Sequence, residues 1–435
     1  PAGHTGTTSD AHRLPTRLGE SPMISARIIG AVVLVGAALA AVASTASGGT
    51  AADGITVWLQ TDAQSEKWQP IVNAATAQFE KQHPGVTVDV QYQTWGDHLK
   101  KFDATLAGGD APDVIEMGNT EMTKYMAAGA FQDLTSLKGG FPNSSTWLAG
   151  LAAAGVYNHK LFGVPYYAGS RVVTYRTDLF RKAKLKVPRT LAEFTADAKK
   201  LGSVYPDKGF SPVYIAGTDW YVAMSFVYDY GGSIATQVGK RWAGQLASPR
   251  SIAGLTAYKN FFLAASRASK TTDETHPNPY DVYAQGKVAS MLGPAWFSCC
   301  VGKKYTKTTG QFVMPGHTAG QPMPGFLGGS LLAVPVGADK TLGSDWIKAY
   351  TSNQSMTALR TIGNIPNTTS LLGSSVNERA AKRSWFVPTA KNWVNVENGN
   401  ILRNMLAQIL TGKLSVKQAA QSANDNIVRV LNADV

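Results

Sequence analysis

Three tryptophans have surroundings suited to binding chemistry. Trp220, Trp296 and Trp393 each lie among polar, Gly or Pro residues, off any helical stripe, and the first two come just after expected strands. A flat apolar ring beside hydrogen-bonding groups suits the CH-rich face of a sugar, which stacks on the ring while its hydroxyls take polar partners. Taken singly, each is as well read as a half-buried core or hinge residue; three in such settings point to a site. Trp58, Trp68 and Trp346 sit in regular apolar patterns and belong to cores.

Catalytic chemistry finds less support. The seven histidines are scattered, and none is paired at the i, i+4 spacing of a helical zinc site. Gly329-Ser330-Leu331 lacks the glycine that would complete a nucleophile elbow, and no phosphate-binding or dinucleotide glycine motif follows a strand. Carboxylates are numerous enough for a glycosidase pair, but their separation cannot be read from sequence. The two cysteines, Cys299 and Cys300, are adjacent. In an exported chain they either close a vicinal disulfide or stay two thiols, one buried, and two sulfurs alone make no zinc site. No metal and no cofactor are expected.

A chain of 435 residues fits two domains and a leader. Its net charge of +12 is dispersed, and the densest basic groupings (Lys100-Lys101, Arg181 to Lys186, Lys303 to Lys307) are short. They read as solvated faces, so no nucleic-acid partner is expected. Near the N-terminus, Arg27 precedes the apolar run Ile28 to Ala43 and the small-residue run Ser44 to Gly49, in the order of a secretory signal. Cleavage after Ala43 or Ala46 satisfies a small-x-small rule. The alternative is an uncleaved anchor, since Ile28 to Ala46 approaches the about 20 residues of a spanning helix. No cysteine follows the run to carry a lipid. The first methionine is Met23, and residues 1–22 are set aside from the fold.

The elements that would position these residues are alternating strands and helices. Ile55 to Gln60 is a nearly continuous apolar run, as for a parallel strand covered on both faces. Trp68, Ile71, Val72, Ala75 and Phe79 recur at helical spacing up to His83-Pro84-Gly85, and Val86, Val88 and Val90 alternate as a second strand. Trp95, Leu99, Phe102 and Leu106 form another helical stripe, Asp113 to Met117 a third strand, and Thr120 to Ala128 a short helix. Gly163 to Phe180 reads as a strand leaving one unit and opening another. Beyond it, Thr190 with Glu193 caps a helix, and Val213 to Ala216, Val288 to Leu292, Gln311 to Met314 and Leu331 to Val336 read as strands around a Gly/Pro-rich loop. The C-terminal third is helical, with one helix starting at Ser344, another spanning Ile401 to Leu410, and a last one capped by Ser415 and Gln418.

The ordered set F-E-K-x-x-P-G-V-x-V (Phe79 to Val88), G-x-x-P-D-V (Gly109 to Val114), G-x-P-Y-Y followed by Y-R-T-D-L-F (Tyr175 to Phe180), and G-P-A-W (Gly293 to Trp296) resembles the extracellular solute-binding proteins of ABC importers. Within that family it resembles the carbohydrate-binding, maltose/oligosaccharide-binding-protein-like group, and the resemblance spans Ile55 to Leu431. It implies an α/β fold of two lobes, each an open, mostly parallel sheet with helices on both faces, closing by a hinge over a cleft. The leader would be residues 1–50, the first lobe 51–167 plus 313–362, and the second 168–312 plus 363–435. Carried over by motif, polar contacts fall at Gln60 to Asp62 and Gly118 to Thr120, here Gln60, Asp62 and Asn119. The aromatic platforms fall at Trp220, Trp296 and Trp393. Tyr167 and Arg171 fall beside the cleft, Arg171 with the alternative of a structural ion pair, and a Gly328-Gly329-Ser330 turn would bring bare backbone near the ligand. The family implies an exported, monomeric receptor that captures a di- or oligosaccharide and delivers it to the permease subunits of an ABC transporter. The competing readings are a receptor for a glycerophosphodiester or polyamine, and a secreted carbohydrate-active enzyme.

Overall fold

The computed structural model describes residues 54–61 and 65–433. The leader and Asp62 lie outside the described residues.

Strand β1 (Gly54–Gln60) is flanked in parallel by β2 (Thr87–Gln93) and β3 (Val114–Gly118). Its side chains alternate between two apolar layers. Ile55, Val57 and Leu59 pack with Trp68, Phe79, Trp346 and Tyr350, while Trp58 packs on the other face with Phe102, Ile115, Met117 and Tyr125. Two covered faces are the reason the strand reads as an unbroken apolar run. Helix α1 (Ser65–Gln82) buries Trp68, Ile71, Val72, Ala75 and Phe79 along one stripe, as their spacing predicts. Helix α2 (His98–Gly108) stops at Gly109, whose left-handed φ of 81° turns its N–H back onto the Thr105 carbonyl. Helix α3 (Met122–Ala127) follows β3.

Gly163–Arg176 is one strand of 14 residues that leaves the first lobe and enters the second. Residues from Gly163 to Ser170 pair with the returning strand Gly325–Ala333, and residues from Arg171 to Arg176 pair with Ser290–Pro294 and Thr309–Phe312. The returning strand also pairs with β3. All four of these pairings are antiparallel; between Gly163–Arg176 and the returning strand this follows because a strand leaving a lobe and a strand entering it run in opposite senses. The two-lobed α/β architecture is thus built on a mixed sheet, with parallel pairing kept for β1–β2, β1–β3 and Gly325–Phe326 with Ser384–Trp385 among the named strands of the described residues. The second lobe's core gathers Phe194, Phe226, Tyr258 and Phe261 with Leu406, Ile409 and Ile427 of the C-terminal helices. Phe312, Met314, Met323 and Phe326 join that same core, while Leu327 and Leu331 belong to the first lobe's.

Local differences from the sequence reading have local causes. The helix expected to begin at Ser344 begins at Lys340, because the Asp339 carboxylate accepts from the N–H groups of Thr341 and Leu342, a stronger cap that also matches the helix dipole. Val213 to Ala216 pairs only at Tyr214, as one parallel bridge to Met291, between Pro212 and Gly217, rather than as a full strand. Gly328 and Gly329 are not a turn; they lie within the strand Gly325–Ala333. Thr190 accepts from the Glu193 N–H, and the Ser415–Gln418 capping box forms in both directions.

Candidate ligand-binding site

The first lobe's contribution gathers at the carboxyl ends of β1 and β3, the edge where open α/β sheets bind ligands. Gln60 is buried there. Its N–H donates to Glu116 Oε2 at 3.0 Å and its Nε2 to the Glu116 carbonyl at 3.2 Å, while its Oε1 has no partner among the described residues. Beside it, Trp68, Tyr92, Trp95, Glu116 and Tyr167 surround a pocket of about 10 Å³, the room of a single water. Tyr167 is half-buried, edge-on to Trp68 at 4.8 Å. Trp95 is 43% exposed. It precedes α2 instead of joining its stripe, because Gly96 and the turn that Asp97 and His98 make onto the Thr94 carbonyl delay the helix. Asn119 is buried and spends its side chain on the Leu327 carbonyl at 2.9 Å, and its backbone N–H donates to the Gly329 carbonyl. It ties the returning strand to β3.

On the second lobe, the helix Trp220–Asp229 is capped by Asp219, whose Oδ1 accepts from the Val222 N–H. The same carboxylate pairs with Arg171 at 3.3 Å, and the Arg171 guanidinium lies 4.4 Å over the Tyr221 ring. Tyr221 in turn stacks on Trp220, with centroids 3.9 Å apart. Trp220 and Trp393 are only 4% and 1% exposed, their centroids 6.0 Å apart, and both pack with Trp385 or its neighbours in the lobe's core. Neither offers an open face. Tyr221 is the aromatic stacked on Trp220, and its place directly after Trp220 in Asp219-Trp220-Tyr221 is the signal that sequence reasoning passed over.

Carboxylates close the ring around Tyr221. Trp393 Nε1 donates to Glu397 Oε1 at 2.8 Å, and Thr120 of the first lobe donates to Glu397 Oε2 at 3.4 Å. Burial pushes the Glu397 carboxyl up to about 7, against the Trp393 hydrogen bond and with help from Glu121. Glu274, bonded to Arg403, is likewise pushed up to about 7, first by burial and then by Asp219. Its Oε2 is buried without a partner among the described residues. In the first lobe His98, hydrogen-bonded to Glu121 at 3.0 Å, is held protonated more readily than a free histidine, because its carboxylate partner outweighs its burial.

A cavity of about 470 Å³ joins the two halves, within the range of roughly 300–1,000 Å³ typical of small-molecule sites. Lys67 of α1, Trp296, Cys299, Gln311, Asn364 and Asn377 contribute to its wall. Trp296 is half-buried, edge-on to Phe297 at 4.8 Å, and is the one of the three singled-out tryptophans that reaches open space. Arg360 and Glu378, also in the wall, pair at 2.6 Å. Burial opposes the Glu378 charge, but Arg360 and the N–H groups of Gly373 and Ser375 hold its carboxyl at about 2. Gly329 faces none of this space: a Cβ there would lie 2.2 Å from the Tyr167 carbonyl oxygen, so its bare backbone serves the close approach of the two crossover strands. No cluster of three or more potential metal ligands occurs among the described residues. No helix among them is long and apolar enough to cross a membrane.

Residues 60–357 match the family described as bacterial extracellular solute-binding protein. The diacetylchitobiose-binding protein DasA of Streptomyces coelicolor is 30% identical over 387 residues, covering 86% of this chain and 89% of that one. Among solved structures, the GacH receptor of Streptomyces glaucescens, solved unliganded and with acarbose, superposes with a TM-score of 0.74 at 20% identity over 87% of this chain and 98% of that one. UgpB of Mycobacterium tuberculosis, in complex with glycerophosphocholine, gives a TM-score of 0.70 at 18% identity over 87% and 98%.

Proposed function

Since the chain belongs to the bacterial extracellular solute-binding proteins, we propose that it is an exported receptor. It captures a di- or oligosaccharide between its lobes and delivers it to the permease subunits of an ABC importer. The observation that carries the saccharide class is the wall of the 470 Å³ cavity, where the Trp296 ring stands beside Asn364, Gln311 and the Ser298 hydroxyl; the Asn377 amide is held by the Ser170 N–H and the Gly363 carbonyl, and Gln311 Nε2 by Thr174 and the Ala295 carbonyl. A pyranose offers a CH face to the ring and hydroxyls to the amides. The Streptomyces relative is a diacetylchitobiose-binding protein, and diacetylchitobiose is a sugar of this kind.

Binding sites proposed on either side of the cleft are Gln60, Asp62, Tyr167 and Trp95 from the first lobe, and Tyr221, Arg171 and Trp296 from the second. The lobes exchange at the crossover strands, with the return falling between Phe326 and Leu327, where the cores change over. Closure follows because a sugar touches both lobes in the closed form and one in the open form, so its binding energy shifts the population. The cations in the cavity leave room for a phosphodiester reading, yet Arg360 is already neutralised by Glu378.

The test is a thermal-shift and calorimetric screen of the full chain against diacetylchitobiose, maltose, maltotetraose, acarbose, spermidine and glycerophosphocholine, with product analysis of each hit. A ligand at a hundred times its Kd adds about 2.7 kcal/mol of stability. A sugar hit recovered intact supports the receptor reading. A hit from only the charged solutes, or a sugar returned cleaved, overturns it.

A further inference from the structure

Cys299 and Cys300, which the sequence leaves either bonded or free, are joined as a vicinal disulfide. They end the short turn Ala295–Cys300 that follows the strand Ser290–Pro294. Cys299 is exposed and lines the interlobe cavity beside Trp296 and Ser298, whereas Cys300 is half-buried. A bonded pair of sulfurs has no thiol proton to donate and no thiolate to titrate. What remains is a soft, polarisable, apolar surface, fixed to its neighbour by a covalent bond and so ordered before any ligand arrives. Two free thiols would titrate and rotate independently. The wall therefore carries an apolar strip, the Trp296 ring and the disulfide, bordered by Ser298, Gln311 and Asn364. Arg360 and Glu378 in the same wall are paired with each other.

We propose that the Cys299–Cys300 disulfide is a ligand-contacting, specificity-determining part of the cavity wall, which with Trp296 packs against the CH face of a sugar unit. The proposal rests on the saccharide reading above. The experiment titrates the full chain with diacetylchitobiose and with maltotetraose by calorimetry in four forms: oxidised wild type, Cys299→Ser with Cys300→Ser, Cys299→Ala with Cys300→Ala, and wild type reduced by dithiothreitol. In the last, the disulfide takes two electrons and two protons, and dithiothreitol leaves as its cyclic disulfide. The expected result is about tenfold weaker binding of whichever sugar binds, the scale of a lost apolar contact in a pocket, with the melting temperature in buffer nearly unchanged. The reduced wild type, folded before reduction, gives the answer if a double variant fails to fold. A lowered melting temperature with unchanged affinity marks the disulfide as a brace for its turn and overturns the proposal. Sugar binding equal in all four forms overturns it as well, leaving the saccharide reading in place. Binding of neither sugar by the oxidised wild type overturns both.

Discussion

Trp220 and Trp393 differ from Trp296 in one respect that their sequence settings do not disclose. Each comes at or just after a Gly, Pro, Asn or Asp, and all three look like platforms. Trp296 lines the interlobe cavity, while Trp220 and Trp393 are closed into a cluster with Trp385 and Phe326. The closing partners come from the returning strand and the C-terminal segment, far along the chain from Trp220. Whether an aromatic ring is a platform or a foundation is decided by what the late segments lay over it, and the second lobe places Tyr221 on top.

The sharpest way to break this contrast is to truncate each ring. Trp220→Ala and Trp393→Ala remove fully packed side chains and should each cost about 3–5 kcal/mol of stability, read as a fall in melting temperature of roughly 5 °C for a chain of this size. Trp296→Ala should change the melting temperature far less. If Trp220→Ala melts like wild type but no longer binds sugar, the two classes are reversed and Trp220 is the platform after all.

The next effect is on affinity. Trp296→Ala should weaken sugar binding by roughly 30-fold or more, the scale of a central aromatic contact, in calorimetric titrations with the hit of the panel; Tyr221→Ala should weaken it less, through the position of Arg171, since Trp220 and Arg171 hold the two faces of its ring. Tyr221→Phe should retain most of the affinity, because stacking on Trp220 and beneath Arg171 needs the ring and not its hydroxyl. A loss confined to Trp296→Ala would move the whole site to the cavity and leave Tyr221 as packing.

Much of the first lobe can be read directly. The unbroken apolar run of β1 and the 3.6-residue stripe of α1 each encode a surface that must be covered, and the structure covers them with the named partners. Reading fails where a residue's role depends on backbone approach or on competing caps. Gly328-Gly329 looks like a turn because glycine is common in turns, yet Gly329 is glycine because the Tyr167 carbonyl passes where a Cβ would stand. Trp95 fits a helical stripe by spacing, and the turn at Thr94 to His98 takes it out of the helix and into the open. Asn119 has the chemistry of a ligand contact and is consumed by the Leu327 carbonyl. Ser344 looks like a helix start, and Asp339 does the capping five residues before it.

The smallest effect tests the polar side of the same wall, where Glu397 accepts from Trp393 on its own lobe and from Thr120 across the cleft. Its carboxyl is raised to about 7 in the folded chain, by burial first and by Glu121 after it, while the Trp393 and Thr120 hydrogen bonds and the Arg403 charge oppose the rise. A carboxyl with a raised folded value binds its proton more tightly folded than unfolded. Its contribution is therefore full below the ordinary glutamate range, near pH 4.5, and is lost as pH climbs through about 7. Glu274 has the same sign and window, and His98, raised through its bond to Glu121, adds to the same slope. Glu378, held at about 2, loses its contribution only in strong acid and leaves this window untouched. The melting temperature should fall between pH 5 and pH 8, and Glu397→Gln should remove about 1 kcal/mol of that fall, a figure discounted for the group's partial exposure. The remaining slope belongs to Glu274 and His98. An unchanged slope in Glu397→Gln would mean that the carboxylate keeps its charge in the folded chain, and the ring around Tyr221 would then be a charged wall rather than a neutral one.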